Sequence, residues 1–556
     1  MLLGIKRRFA RFNIVQFCIL LLVLVIFTVA FIFPLGALFS KAFIGEAGAF
    51  GLANYRSYFN NPTLSISVWN TIHISLITTV FSTVFGFFYA YAIMRTDIPG
   101  KAFFKYIALL PIFIPTVVHA LGLVYIFGKQ GFITRLGFDI SLYGKNGIII
   151  SEIIYTFPSA FLLFLVALEF VDGRLYETCN AMGVKPIKQI LHVTLPEMKY
   201  TIVNTIFVCF TLAFTDFGAP KVLGGNYNVL ATDIYKQVAG QFNMSMGAVV
   251  GTLLLIPAII SFITGRFISN KNSSSLNAKT IPLAIKKNFL RDTLFLMFCS
   301  LIAMCFISLI LSLFIGALTS YYPYDLSLTL KHFAFNDSAG GIGSFLNSVW
   351  MSIFTAAFGT VFVFLYAYMT EKTQGLCILT KYGKLLSVLP LAVPGMVVGI
   401  SFIFFFNSQN NPLHFIYGTV AILVLSNILH YFSVPYLTAA GALKKLDYEF
   451  EMVAEAMKIP RWKTFLRVSV PLSAHAIVEI AMYFFVNSMV TVSALVFLYN
   501  ANFKVASIAI THMEEAGNIS QAAAMSLLIL FINVAVRILY EFVIGIKKKQ
   551  AIKGGL

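Results

Sequence analysis

Apolar runs close to twenty residues long recur from one end of this sequence to the other. A helical run of that length spans the hydrocarbon core of a bilayer, about 30 Å thick, with its backbone bonded internally. Hydropathy places twelve such spans, at 15–39, 68–94, 104–127, 147–170, 200–217, 246–268, 292–317, 347–370, 385–406, 417–440, 476–498 and 520–545. The expected fold class is an all-α polytopic membrane protein of about twelve transmembrane helices. Only 11% of the residues are charged, against roughly 25% in soluble domains. The first run, Phe17 to Phe39, is too long for the core of a signal peptide and is read as a span.

The net charge of +18 raises nucleic acid or anionic lipid as partners, and its distribution decides. With Lys6, Arg7, Arg8 and Arg11 placed in the cytoplasm, 30 of the 40 lysines and arginines fall in or at the edge of cytoplasmic segments, and nine in external loops. This is the positive-inside pattern. It puts both termini in the cytoplasm, makes the lipid bilayer the partner and requires no nucleic acid. The six cysteines have neither metal-ligand spacing nor a place in an external loop, so no metal site and no disulfide is expected.

The chain repeats itself. The segment 85–96 matches 362–373, setting Tyr89-Ala90-Tyr91 over Tyr366-Ala367-Tyr368 and Asn70 over Asn347. Next, 105–115 matches 384–394, each with Leu-Pro-x-x-x-Pro, and 181–196 matches 456–471. The offsets of 277, 279 and 275 keep one register, as in a parallel repeat whose axis lies along the membrane normal. Expected domains are a first half, 1–268, a Ser/Asn/Lys-rich cytoplasmic linker, 269–291, and a second half, 292–556.

Two cytoplasmic segments are longer than the rest, 172–199 and 443–475. Each reads as a short amphipathic helix, a Gly or Pro break, a second helix, and a proline where the next span begins. A transverse helix of this kind suits a partner's groove and can carry its motion into the attached spans. A lone surface helix is the plainer reading; two copies at matched positions argue against it.

These loops resemble the EAA motif of ABC importer permeases, Glu-Ala-Ala followed by Gly and Leu-Pro at set distances. Glu177, Ala181, Gly183, Leu195 and Pro196 fall on it in the first half. In the second, Ala456, Val470 and Pro471 hold their places, Lys458 replaces the glycine, and the glutamate is displaced to Glu451 or Glu455. The resemblance implies the type I importer permease fold, a coupling helix in each loop for one of two copies of an ATPase subunit, and an extracytoplasmic solute-binding protein. It implies a bacterial inner membrane location. ATP and magnesium would be used by the ATPase. The chain's own Gly-Lys pairs, at Gly100, Gly128, Gly144 and Gly383, are never followed by Ser or Thr, so no P-loop is present and no enzyme or cofactor is expected in this chain.

The fused arrangement is similar to the ferric iron, thiamine and 2-aminoethylphosphonate permeases. Segments 214–250 and 489–526 look most like the phosphonate type, making 2-aminoethylphosphonate the expected solute and ferric iron the alternative. Candidate pathway residues are Thr215 and Asp216, at the external end of span five, with His119 and Glu152, ionisable groups inside spans three and four. A major-facilitator-type transporter would carry a Gly-Asp-Arg-rich loop after span two. "RTDIPGKAFFK" has none. A membrane enzyme would need a catalytic constellation, which is absent.

Overall fold

The computed structural model describes residues 14–45, 48–138, 141–272, 281, 283, 285, 287–335, 340–373, 376–447 and 449–553, with side chains omitted at 266–272 and 546–553. The basic cluster from Lys6 to Arg11 and much of the 269–291 linker lie outside the described residues.

In chain order the first half runs α1 (Ile14–Phe43), α2 (Pro62–Arg95), α3 (Lys101–Leu109), α4 (Thr116–Phe127), α5 (Lys145–Phe170), α6 (Gly173–Ala181), α7 (Pro186–Glu197), α8 (Lys199–Thr215), α9 (Gly218–Leu223), α10 (Leu230–Tyr235) and α11 (Met244–Asn272). The second half runs α12 (Phe289–Leu318), a small hairpin of β1 (Thr319–Tyr321) and β2 (Asp325–Leu328), α13 (Gly341–Lys372), α14 (Cys377–Ala392), α15 (Gly395–Phe406), α16 (Val420–His430), α17 (Ser433–Lys444), α18 (Glu449–Ala456), α19 (Arg461–Leu472), α20 (Ala474–Val490), α21 (Ala506–Glu515) and α22 (Ile519–Lys553). Among the described residues eight helices are long and apolar enough to cross a membrane, and up to twelve if each bent pair is one span.

Local chemistry sets the boundaries. Asn61 accepts the Thr63 N–H at 3.1 Å and Pro62 opens α2, a side-chain cap followed by a proline whose missing N–H costs nothing there. The Leu-Pro-x-x-x-Pro segments break the continuous spans expected at 104–127 and 385–406. Ile114 and Val393 are extended before Pro115 and Pro394, because a following proline disfavours the helical region. The α14–α15 bend reaches 111° and α16–α17 bends by 58°. The span expected at 476–498 ends as helix at Val490. Beyond it the Thr491 carbonyl accepts the Ser507 hydroxyl at 2.6 Å rather than a helical N–H.

The helices form two compact units, one of Ala42–Ala339 with Ala509–Leu527, the other of the chain up to Lys41, Gly340–Ile508 and the chain from Leu528 on. The first unit therefore holds α12, the first long helix of the second sequence half, and the second unit holds most of α1, the first long helix of the first half. In the first-half unit Tyr89 of α2, Phe157 of α5 and Phe306 of α12 pack edge to face, with centroids 5.4 and 5.3 Å apart. In the second-half unit Tyr366 of α13, Phe432 and Phe27 of α1 do the same at 5.1 and 4.7 Å. Gly86 of α2 faces Ala160 of α5 so closely that a Cβ there would lie 2.7 Å from the Ala160 Cβ, the small-residue contact by which membrane helices approach.

The repeat extends to single hydrogen bonds. Asn70 Nδ2 donates to Asn228 O at 3.0 Å and Asn347 Nδ2 to Lys504 O at 3.1 Å. Thr71 Oγ1 accepts the Leu230 N–H, and Ser348 Oγ the Ala506 N–H. Tyr89 and Tyr366 each donate to a main-chain carbonyl at 2.9 Å, of Phe104 and Gly383.

Candidate functional site

Both long loops fold as a short helix, a tight turn and a second helix running into the next span. At the turn Gly183 has φ +68° and Lys458 has φ +56°, so lysine adopts the left-handed conformation that glycine takes freely. The closing bonds match: Val184 N–H to Cys179 O at 2.9 Å, Ile459 N–H to Ala454 O at 2.8 Å. A π-helical turn follows in each, Ile190–Thr194 and Phe465–Ser469. The chain then bends by 75° into α8 and by 77° into α20 beside Leu195-Pro196 and Val470-Pro471.

The loops expose apolar side chains at matched positions: Met182, Ile187 and Leu191 in the first, Met457, Trp462 and Leu466 in the second. Met182 is 75% exposed and Met457 67%. Beside the second set an open groove of about 740 Å³ is lined by Val453, Lys458, Ile459, Pro460, Lys463 and Arg467, among others. Glu177, Ala181 and Ala456 are exposed on the same segments.

Glu451 lies elsewhere. Its side chain is 12% exposed and pairs with Lys372 of α13 at 3.2 Å, while Lys372 Nζ also donates to Leu446 O at 3.0 Å. In the first half the equivalent cation is Arg95 of α2, which donates to Leu168 O at 2.6 Å and stacks 5.1 Å from the Tyr176 ring. Each cation thus closes the carbonyl end of one helix and grips the short helix that follows. Tyr176 OH lies 2.8 Å from Thr194 Oγ1, joining the two helices of the first loop. Sequence reading missed Arg95, Tyr176 and Lys372. Their signal was a cation ending the second span of each half.

The pathway candidates separate. Glu152 is fully buried in α5, and its carboxyl meets that of Asp216. Asp216 ends α8 and accepts the Ala219 N–H at 3.0 Å, which caps α9, with the Thr116 hydroxyl also in reach. Neither Glu152 oxygen has a hydrogen-bond donor among the described residues. His119 Nε2 is 3.1 Å from Pro111 O, at the 3-10 turn before α4, and Thr215 donates back to Thr211 O at 2.9 Å. The structure therefore brings Glu152 and Asp216 together and turns Thr215 back onto its own helix. At the repeat-equivalent places stand Asn427 and Thr491, so the acids belong to the first half alone. The nearby Thr116 hydroxyl against Gly218 becomes Gly395 against the Ser493 hydroxyl; hydroxyl and glycine have exchanged sides between the halves. No group of three or more His, Cys, Asp or Glu side chains is gathered for a metal ion among the described residues.

A second charged cluster joins segments between spans. Lys221 of α9 pairs with Glu515 of α21 at 2.5 Å and lies 4.5 Å from the Tyr235 ring centroid. Burial pushes neighbouring Glu514 up to about 7, Glu515 adding to the rise and Lys221 opposing it.

The sequence matches the family described as binding-protein-dependent transport system inner membrane component over residues 82–272 and 378–544. It is 28% identical over 506 residues to the ferric transport system permease protein FbpB of Actinobacillus pleuropneumoniae, covering 87% of this chain and 72% of that one. A putative ferric transport system permease protein FbpB 1 of Haemophilus influenzae is 29% identical, with 79% and 71% covered. The Fe(3+)-transport system permease protein FbpB 2 of the same organism is 24% identical, with 88% and 93% covered. The expectation of a phosphonate permease finds no support among these relatives. With both halves matched and the loops in register, the chain belongs to the inner membrane components of binding-protein-dependent transport systems and is an ABC importer permease.

Proposed function

We propose that this chain is the membrane-spanning permease of an ATP-driven importer of ferric iron. The observation that carries the coupling part is the pair of matched loops, each with a left-handed turn, three exposed apolar side chains and a cation grip at its base. Each loop takes the groove of one ATPase subunit, where Met182, Ile187 and Leu191, or Met457, Trp462 and Leu466, supply the buried anchors. ATP and magnesium are used there. An extracytoplasmic binding protein delivers the solute, the chain sits in a bacterial inner membrane, and both termini are cytoplasmic. Ferric iron replaces 2-aminoethylphosphonate as solute because the relatives that match most of this chain carry ferric names. The Glu152–Asp216 pair is the pathway candidate retained in this reading, its carboxylate oxygens being the hard donors that a trivalent cation favours.

The test is ATP hydrolysis by the assembled complex, titrated with its binding protein loaded either with ferric iron or with 2-aminoethylphosphonate. Stimulation by the ferric form alone is expected. Stimulation by the phosphonate form alone would overturn the solute, and hydrolysis indifferent to both would overturn the importer reading.

A further inference from the structure

The first coupling helix, α6, is held by a segment that sequence reading treats as a flexible tether. Main-chain groups of Ile281 bond to both residues at its start. The Gly173 N–H donates to Ile281 O at 2.9 Å, and the Ile281 N–H donates to the Asp172 carboxylate. Asp172 is also the cap of α6, accepting the Arg174 N–H at 3.0 Å and gripping the Arg174 guanidinium at 2.6 Å. The backbones approach so closely that a Cβ on Gly173 would lie 2.8 Å from Ile281 O and 2.9 Å from Leu283 Cα. Gly173 is needed here for space, since its backbone is not left-handed.

Downstream the same segment is fixed again. Lys287 pairs with Asp97 at 3.7 Å, the Asn288 N–H donates to Asp292 Oδ2 at 3.0 Å, and the Asp97 N–H donates to Asp292 Oδ1 at 3.3 Å. Asn288 caps α12 through the Arg291 N–H. Two sets of bonds thus fix this stretch of chain, one at the start of α6 and one at the start of α12 and the turn after α2. In the second half the residue at the position equivalent to Gly173 is Tyr448, so the sequence does not repeat the glycine there.

We propose that Ile281 and Leu283 form a strap whose main chain positions the first coupling helix, so that Asp172 and Gly173 are positioning residues for ATPase coupling. The proposal rests on the coupling reading of the loops given above. Force applied to α6 then reaches α12 directly as well as through α8.

Three variants in the full complex separate this from a plain tether. Ile281→Pro removes the N–H and Gly173→Val fills the contact, whereas Ile281→Ala keeps both main-chain bonds. ATP hydrolysed per iron imported, measured in proteoliposomes with equal amounts of co-purified ATPase, is expected to rise roughly tenfold in the first two and to stay within about twofold in the third. Amide hydrogen exchange at Gly173 should quicken in Ile281→Pro irrespective of transport. Cleavage at a protease site placed within 273–280 should leave the ratio unchanged, because the strap stays joined to α12. Wild-type ratios and exchange in the Pro and Val variants would overturn the strap, as would equal damage by Ile281→Ala or by cleavage. A wild-type complex that imports without consuming ATP would instead refute the coupling reading itself.

Discussion

Lys458 holds a backbone conformation that an L-residue enters at a cost of about 1 kcal/mol, and it does so where the first half has Gly183. Lys458→Gly should therefore raise the stability of the protein by about 0.5–1 kcal/mol, and Gly183→Lys should lower it by a similar amount without loss of the fold. Thermal unfolding in detergent measures both, and a destabilised Lys458→Gly would show that the lysine side chain makes a compensating contact. Glu514 gives a pH signature. Its carboxyl rises from 4.5 to about 7, so the protonated form favours the folded state. That contribution is complete below about 4.5 and disappears as the pH climbs through 7. The unfolding midpoint should fall over this window, and Glu514→Gln should flatten that segment of the profile. An unchanged slope in the variant would assign the pH dependence to another group.

At the scale of elements, the cation grips are the contacts that tie each coupling helix to the spans. Lys372→Met leaves Glu451 largely buried without its partner and should cost about 2 kcal/mol. The double variant with Glu451→Met should recover part of that loss, and a double variant no more stable than Lys372→Met would show that the pair is not an energetic unit. The helix–turn–helix form of both loops was legible from Gly183, Pro186, Pro460 and the Leu-Pro or Val-Pro that starts the next span, because these residues act on the backbone locally. The breaks at Ile114 and Val393 were visible as paired prolines, yet hydropathy averages across them and reads a single span. The end of α20 at Val490 was hidden for a related reason. Residues 491–498 are as apolar as a helix interior, and composition does not report dihedral angles.

At the scale of the whole molecule, the parallel repeat was readable because three blocks kept one register, and hydrogen bonds from Asn70 and Asn347 now repeat it atom for atom. The exchange of α1 and α12 between the compact units was not readable. It depends on contacts such as Phe27 with Phe432 and Phe306 with Phe157, over sequence distances that no local pattern records. The acid pair was seen only as separate residues, since nothing in the spacing of Glu152 and Asp216 signals that α5 and the end of α8 meet. The halves share a frame and differ in chemistry: an acid pair against Asn427 and Thr491, a glycine turn against a lysine turn, a cation–aromatic grip against an ion pair. ATP-dependent ferric iron accumulation in proteoliposomes tests the central claim most directly, comparing the wild-type complex with one carrying Met182→Glu and Met457→Glu. Saturable uptake that requires ATP and the binding protein, and that the double variant loses while its permease remains folded, is the expected result. Uptake without ATP, or uptake undiminished in the double variant, would contradict it.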